Sequence, residues 1–157
     1  MPSLTLSNSL SKAANTKRKQ LVTDEPFFLS GGLGVWDDNI RDMNVTYLGT
    51  GTEFLQLQAT NSNAYAAVEY ACIPNSQYKF TGLLQATAFG SGGGTVGFGN
   101  SAGNTAIDTV TSPRSGSVES IEKTFTVGNQ TTFWVSFLIT NSGTVQFWDS
   151  IKIEETG

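Results

Sequence analysis

Apolar and polar residues alternate along most of the chain beyond residue 40. Between residues 131 and 140, for example, the pattern puts four large apolar side chains on one side of the segment, namely Phe133, Val135, Phe137 and Ile139. A period of two is typical of β-strands that bury one face. The pattern predicts strands over residues 43–47, 53–59, 64–73, 77–89, 95–99, 118–127, 131–140 and 145–153.

Short clusters of glycine, asparagine, serine and proline separate these segments. Ser, Thr, Asn and Gly together make up 64 of the 157 residues, which favours strands and turns over helices. No helical pattern exceeds two turns. We therefore expect an all-β fold of eight or nine strands, arranged as a two-sheet antiparallel β-sandwich.

The last predicted strand carries an unusual tryptophan. Strict alternation puts Phe147, Asp149 and Ile151 on the core side and Trp148 on the opposite, polar side. An indole on a polar face needs a cover, which could be a sugar ring, another subunit or a loop of the same chain. We expect a subunit contact in preference to sugar binding.

The first residues differ in charge from the rest of the chain. Residues 1–23 carry four of the nine basic residues, no acidic residue and no aromatic residue. The remaining five bases and thirteen acids give the body a charge of −8. A segment without aromatic residues cannot bury enough apolar surface to fold alone, so we expect residues 1–24 to be an extended basic arm and residues 25–157 to be one domain.

The arm is predicted to bind protein. Its basic run is short and has no aromatic residue to stack on a base, and the acidic body disfavours nucleic acid. The residues expected to contact a partner are the leucines and bases of the arm, together with Trp148: Leu4, Leu6, Leu10, Lys12, Lys17, Arg18 and Lys19.

The composition argues against an enzyme. Histidine is absent, which removes the commonest general base and transition-metal ligand, and Cys72 is the only cysteine, which excludes an internal disulfide. Gly92 to Gly97 fit a dinucleotide-binding pattern, but no helix is predicted after them, so we interpret them as a loop. Asp37, Asp38 and Asp42 are interpreted as a solvated turn or a helix cap and not as catalytic acids.

No segment predicts a membrane span or a secretory signal. The first thirty residues contain no apolar stretch of signal-peptide length, and no apolar run approaches the ~18 residues that cross a bilayer. We expect the chain to be made in the cytoplasm, without nucleic-acid or membrane partners.

Three segments resemble one family of sandwich domains. They are Phe27-Phe28 followed by a glycine-rich loop and Trp36, the turn Pro74-Asn75-Ser76-Gln77-Tyr78, and the closing segment from Phe147 to Ile153. This order is similar to that of jelly-roll carbohydrate-binding modules of the xylan- and glucan-binding type. Two departures stand out: Asn75 replaces the usual glycine, and Trp148 precedes the aspartate.

The resemblance implies a function in assembly or in sugar binding. Such modules are reused in bacteriophage virions as capsid decoration (cement) proteins and in tail fibres, commonly as trimers. Our first hypothesis is a homotrimeric capsid decoration protein, located on the capsid exterior and attached to the major capsid protein through its arm. The alternative is a carbohydrate-binding module, for instance a receptor-binding part of a tail fibre.

Candidate ligand sites come from strand alternation and from the resemblance. The carbohydrate site of the alternative would use Trp148 or Tyr65 as its stacking platform. Alternation puts Tyr65 on the same polar face as Glu69, and Phe54 on the same polar face as Gln56. Modules of this family often hold a structural calcium near an aspartate of the last strand, which here implies Asp149 with Glu25. The alternative, which we expect in preference, is that Asp149 is a hydrogen-bonded aspartate at a sheet edge. No other cofactor is expected.

Overall fold

The computed structural model describes residues 21–23, 40–48, 54–87, 94–111 and 116–157. Within these ranges the chain forms strands and no helix, so none of them contains a helix that could cross a membrane. In chain order the strands are β1 (Leu21–Thr23), β2 (Ile40–Arg41), β3 (Met43–Leu48), β4 (Phe54–Ala59), β5 (Ala64–Ala71), β6 (Gln77–Thr87), β7 (Thr95–Gly99), β8 (Asp108–Thr111), β9 (Glu119–Thr126), β10 (Thr132–Ile139) and β11 (Val145–Glu155).

The strands form two antiparallel sheets. Sheet A has the order β3-β4-β11-β6-β9, and β1 also pairs with β11. Sheet B has the order β2-β5-β10-β7-β8. The expected all-β sandwich is confirmed. The eight predicted strands correspond to β3 to β7 and β9 to β11, and the structure adds β1, β2 and β8.

The core lies between the two sheets and is rich in aromatic rings. Phe98 of sheet B stacks on Phe125 of sheet A with 4.0 Å between ring centroids. Phe137 meets Trp148 edge to face at 5.0 Å. Aromatic pairs in these geometries add about 0.5–1.5 kcal/mol beyond the burial of their area, so these contacts join the sheets strongly.

A β-bulge divides strand β11. Asp149 pairs with Leu83 and Lys152 pairs with Thr81, so β11 has one more residue than β6 across this interval. Ser150 occupies it with a φ of 52°. Because side chains alternate across a strand, one extra residue reverses which side chains face the core.

The segment Leu21–Thr23, which lies within the predicted arm, belongs to sheet A. On β11, β4 pairs with Val145 to Trp148, and β1 pairs with Ile153 and Glu154. Since β6 occupies the other edge, β4 and β1 follow one another along the same edge of β11. The rest of the predicted arm lies outside the described residues.

An ion pair connects the two sheets between β9, the last strand in the order of sheet A, and β8, the last in the order of sheet B. The Nζ atom of Lys123 on β9 lies 2.9 Å from Oδ1 of Asp108 on β8. This hydrogen bond lowers the pKa of the Asp108 carboxyl, and the backbone N–H of Thr109 also donates to that carboxylate. The pair thus joins the edge of sheet A to the edge of sheet B.

Candidate functional site

The outer face of sheet B carries two partly exposed aromatic side chains. Tyr65 on β5 pairs with Leu138 of β10, and Trp134 on β10 pairs with Glu69 of β5. Their neighbours along each strand, such as Phe133, are buried in the core. The alternation of these strands therefore turns both rings away from the core and onto one surface.

The loop of residues 100–107, between β7 and β8, folds back onto this surface. The backbone N–H of Gly103 donates a hydrogen bond to Oγ of Ser136, at 2.9 Å, in the middle of strand β10. Ser136 and its neighbour Ala67 on β5 are completely buried although both point outward. The loop thus covers the centre of the face.

Two glycines on β7 allow this close approach. A Cβ atom on Gly97 would lie 2.6 Å from Cγ2 of Thr105, and one on Gly99 would overlap the carbonyl oxygen of Asn104. Within the loop, Oδ1 of Asn104 accepts a hydrogen bond from the N–H of Ala106 at 2.7 Å. The loop is therefore fixed both by its own hydrogen bonds and by its contact with the strand.

A cavity of about 310 Å³ lies at one side of the loop. Sheet B supplies Arg41, Tyr65 and Leu138, and the loop supplies Gly103. The ring of Tyr65 lies against Gly103, since a Cβ atom there would come within 2.8 Å of Cε1 of the ring. This volume is at the lower end of small-molecule sites, and we call it the Tyr65 cavity.

The lining of the Tyr65 cavity combines an aromatic ring with hydrogen-bonding groups. Among the lining residues, Asn63 carries a side-chain amide, Thr140 a hydroxyl and Arg41 a guanidinium. The Arg41 side chain is 64% exposed, and its Nε lies 3.7 Å from Oδ2 of Asp42, so its donors remain accessible to a ligand. A ring for apolar contact beside several donors and acceptors suits a ligand with both apolar and hydroxyl-bearing faces.

The expectation that Trp148 is exposed is wrong. The side chain is 1% exposed and packs in the core against Phe137 and Phe80. The bulge at Ser150 is the cause: Gln146 and Trp148 face the core before it, whereas Ile151 and Ile153 face the core after it. Strict alternation assumed that one face continued along the whole strand.

The residues predicted for a carbohydrate site do not form one group. Tyr65 and Glu69 share the outer face of sheet B. Gln56 lies on sheet A instead, where it pairs with the partly exposed Phe147. The side chain of Phe54 lies outside the described part of the structure. Only Tyr65, of the predicted set, lines the Tyr65 cavity.

The calcium site implied by Asp149 is not supported by the described residues. The expected core-facing position of Asp149 is wrong, because it precedes the bulge and lies on the outer face of sheet A, where it accepts a hydrogen bond from Oγ of Ser150 at 3.3 Å. No three His, Cys, Asp or Glu side chains among the described residues lie close enough together to hold a metal ion. Glu25 lies outside the described ranges.

Other predicted residues have different outcomes. The contact residues of the arm, from Leu4 to Lys19, lie outside the described residues, as do Asp37 and Asp38. Gly94 leads directly into strand β7, so the helix that a dinucleotide motif requires does not follow it. Asp42 adopts a φ of 53° at the turn between β2 and β3, in agreement with the predicted turn.

Two residues were not singled out from the sequence: Arg41, which lines the Tyr65 cavity, and Trp134, which lies on the same face of sheet B but outside the cavity. The signal for Trp134 was present, because it alternates with the core residues Phe133 and Val135 and so belongs to the opposite face. Arg41 had no such signal. It enters the site because the two-residue strand β2 pairs it with Tyr65.

Of the comparisons with known proteins, the one with solved structures shows the fold. No family model and no curated protein sequence matches the chain. Among solved structures, the CBM22-1 xylan-binding domain of Paenibacillus barcinonensis Xyn10C is 14% identical, with a TM-score of 0.65 over 88% of this chain and 96% of that domain.

Two further structures are similar to this chain. The carbohydrate-binding module CBM6cm-2 of Cellvibrio mixtus lichenase 5A, in complex with cellotriose, is 11% identical, with a TM-score of 0.57 over 88% of this chain and all of that one. A family 16 carbohydrate-binding module is 16% identical, with a TM-score of 0.56 over 85% of this chain and 99% of that one. This chain therefore has the jelly-roll β-sandwich fold of carbohydrate-binding modules.

Proposed function

We propose that this chain is a carbohydrate-binding protein and that sugar binds in the Tyr65 cavity. The observation that carries the proposal is the lining of the cavity, which brings Tyr65 together with Arg41, its partner across strands β2 and β5, and with Asn63. The similarity of fold to carbohydrate-binding modules supports it.

Each lining group has a role in this proposal. The apolar C–H face of a sugar ring packs against Tyr65, and the sugar hydroxyls form hydrogen bonds with Asn63 and Thr140. Arg41 donates charge-assisted hydrogen bonds, whose strength is reduced by solvent because the side chain is 64% exposed. No step of this recognition requires a metal ion.

The test is a glycan array followed by calorimetry on the glycans that bind. We expect Tyr65→Ala to weaken binding at least about tenfold, since truncating a central aromatic contact typically costs 1–2 kcal/mol or more. The matched control is Phe147→Ala, which removes a partly exposed ring from sheet A. Binding that survives Tyr65→Ala but is lost in Phe147→Ala would place the site on sheet A and reject the proposal.

We also propose that the chain binds sugar without cleaving it. The support is that none of the described residues lining the Tyr65 cavity is an aspartate or a glutamate, whereas glycoside hydrolysis ordinarily uses a pair of such carboxyl groups. Overnight incubation with a bound oligosaccharide, followed by mass spectrometry, should return the oligosaccharide intact. Accumulation of shorter products would contradict this.

Capsid decoration is the second candidate function, and the charge asymmetry of the sequence favours it. Four basic residues and no acidic ones precede residue 24, which suits attachment of the arm to an acidic protein surface. In this hypothesis the chain is a homotrimer on the virion exterior and its partner is a major capsid protein. Deleting residues 1–20 should abolish attachment to capsids, and undiminished occupancy by the shortened chain would reject the hypothesis.

A further inference from the structure

We infer that the Tyr65 cavity recognises the terminal sugar of a glycan chain and not a run of internal sugars. The inference rests on the proposed function and adds the form of the ligand. It follows from the position of the loop of residues 100–107, which closes one side of the cavity.

The loop stands where an extended glycan would have to pass. A chain that crossed sheet B from Tyr65 toward Trp134 would run over Ala67 and Ser136. Both residues are fully buried, and Gly103 of the loop is hydrogen-bonded to Oγ of Ser136. The direct path between the two aromatic side chains is therefore filled by protein.

The loop of residues 100–107 is held in place by its contacts with strand β7, and we call it the wall of the Tyr65 cavity. It rests against Gly97 and Gly99, where even a methyl group would collide with Thr105 or Asn104. The N–H of Ile107 donates to the carbonyl oxygen of Phe98 at 2.9 Å, which holds the end of the loop to strand β7. A ligand that displaced the loop would break these contacts.

Trp134 lies beyond the wall. Tyr65 is opposite Leu138, which is four residues along β10 from Trp134, a separation of roughly 13 Å along the strand. One sugar in the Tyr65 cavity cannot also contact Trp134. The two rings on this face therefore do not form one continuous binding groove.

A terminal sugar suits a cavity that the loop closes on one side and that is open on another. Only one of its positions is joined to the rest of the chain, so its other hydroxyls are free to meet Arg41, Asn63 and Thr140 at the cavity lining. The remaining sugars would leave through the open side into solvent and add few contacts.

The experiment uses the full chain and an array that presents glucose, xylose, galactose, mannose and N-acetylglucosamine in both terminal and internal positions. Binders are then tested as fragments of one to six sugars and, for glycans whose second sugar differs from the first, after removal of the terminal sugar by an exoglycosidase. We expect affinity to change less than threefold beyond two or three sugars. Removing the preferred terminal sugar should reduce it more than tenfold.

Two variants separate a terminal site from a groove. Trp134→Ala should leave the affinity for a hexasaccharide within twofold of wild type, whereas Tyr65→Ala should lower it at least tenfold. Ser136→Ala removes the acceptor for the N–H of Gly103, so it should raise the ratio of hexasaccharide to disaccharide affinity by loosening the wall.

The outcomes distinguish this inference from the proposed function. Tyr65-dependent binding that strengthens with every added sugar, or that weakens strongly in Trp134→Ala, overturns the terminal-sugar inference and leaves carbohydrate binding intact. If no sugar on the array is bound, both are overturned. Both the proposed function and the terminal-sugar inference are supported if binding depends on Tyr65, gains no affinity beyond two or three sugars and is unchanged in Trp134→Ala.

Discussion

The indole N–H of Trp148 donates a hydrogen bond to Oε1 of Gln146, two residues earlier on strand β11, at 2.9 Å. Both side chains are 1% exposed. Each residue would leave a buried polar atom without a partner if the other were absent, and such an atom costs about 1–3 kcal/mol. The pair therefore makes a large tryptophan acceptable in the core.

Replacing Trp148 should lower the stability of the protein. Trp148→Phe removes the donor to Gln146 and part of a ring that packs on Phe137, so we expect a loss of about 2–4 kcal/mol in the free energy of unfolding. Urea denaturation measures it. Phe147→Leu, on the outer face of sheet A, is the control and should cost less than about 1 kcal/mol. Unchanged stability together with lost ligand binding would mean that Trp148 belongs to a surface site.

Gly82 should not tolerate a larger side chain, although alanine is ordinarily better than glycine inside a strand. A Cβ atom on Gly82 would lie 3.2 Å from two ring carbons of Trp148 and 3.6 Å from Cγ1 of Ile151. Because the tryptophan is enclosed by the core, we expect Gly82→Ala to destabilise the fold by about 1–2 kcal/mol. Thermal unfolding tests it against Gly116→Ala, where the added methyl group meets nothing within 4 Å. A Gly82→Ala variant as stable as wild type would show that the side chains around Trp148 can shift to make room for the added methyl group.

The alternation of apolar and polar residues predicted the long strands because a strand that buries one face has an apolar residue at every second position. It identified the inward face of β10 correctly, since Phe133, Val135, Phe137 and Ile139 are all buried. It failed at β11, since nothing in a pattern of period two marks the single extra residue at Ser150. It also missed β2 and β8, which have two and four residues and are defined by hydrogen bonds to their neighbours.

The candidate site was less predictable than the fold. Tyr65 was identified from its polar neighbours, but the cavity beside it depends on a loop that reaches back across strands β7 and β10. The glycines at 97 and 99 were interpreted as part of a short strand and a loop, whereas the structure uses their small size for close approach. Such long-range contacts leave no local periodicity in the sequence.

The ion pair between Asp108 and Lys123 should make stability depend on pH under acidic conditions. Its hydrogen bond lowers the pKa of Asp108 in the folded state, so its stabilising effect is present above the ordinary aspartate pKa of about 4 and is lost as the pH falls through the lowered value. Both side chains are about one-third exposed, so we expect only about 0.2–1 kcal/mol. The difference in unfolding free energy between wild type and Lys123→Met should be measurable at pH 7 and should vanish near pH 2. A difference of equal size at both pH values would assign the effect of Lys123 to packing.

Tyr78 should make stability depend on pH under alkaline conditions. Burial of the phenol raises its pKa; the N–H of Ile73, which donates to the phenol oxygen at 2.9 Å, opposes this shift, and the charge of Glu155 adds to it. A raised pKa means that the folded state holds the proton more tightly. Its contribution is therefore complete below the ordinary tyrosine pKa of about 10 and is lost as the pH rises through the higher folded value.

The variant Tyr78→Phe tests this. At pH 7 it should be about 1 kcal/mol less stable than wild type, because the N–H of Ile73 loses its acceptor. Above pH 10 the Tyr78 phenol ionises in the unfolded wild-type chain before it does so in the folded state, which favours unfolding. The variant has no phenol at this position, so the difference in stability between the two should narrow. Tyr65→Phe, at the surface, controls for the loss of a tyrosine hydroxyl as such. Urea denaturation between pH 7 and pH 11 measures the unfolding free energy of wild type and of both variants. A difference between wild type and Tyr78→Phe that stays constant or widens with pH would show that ionisation of the Tyr78 phenol is not linked to folding.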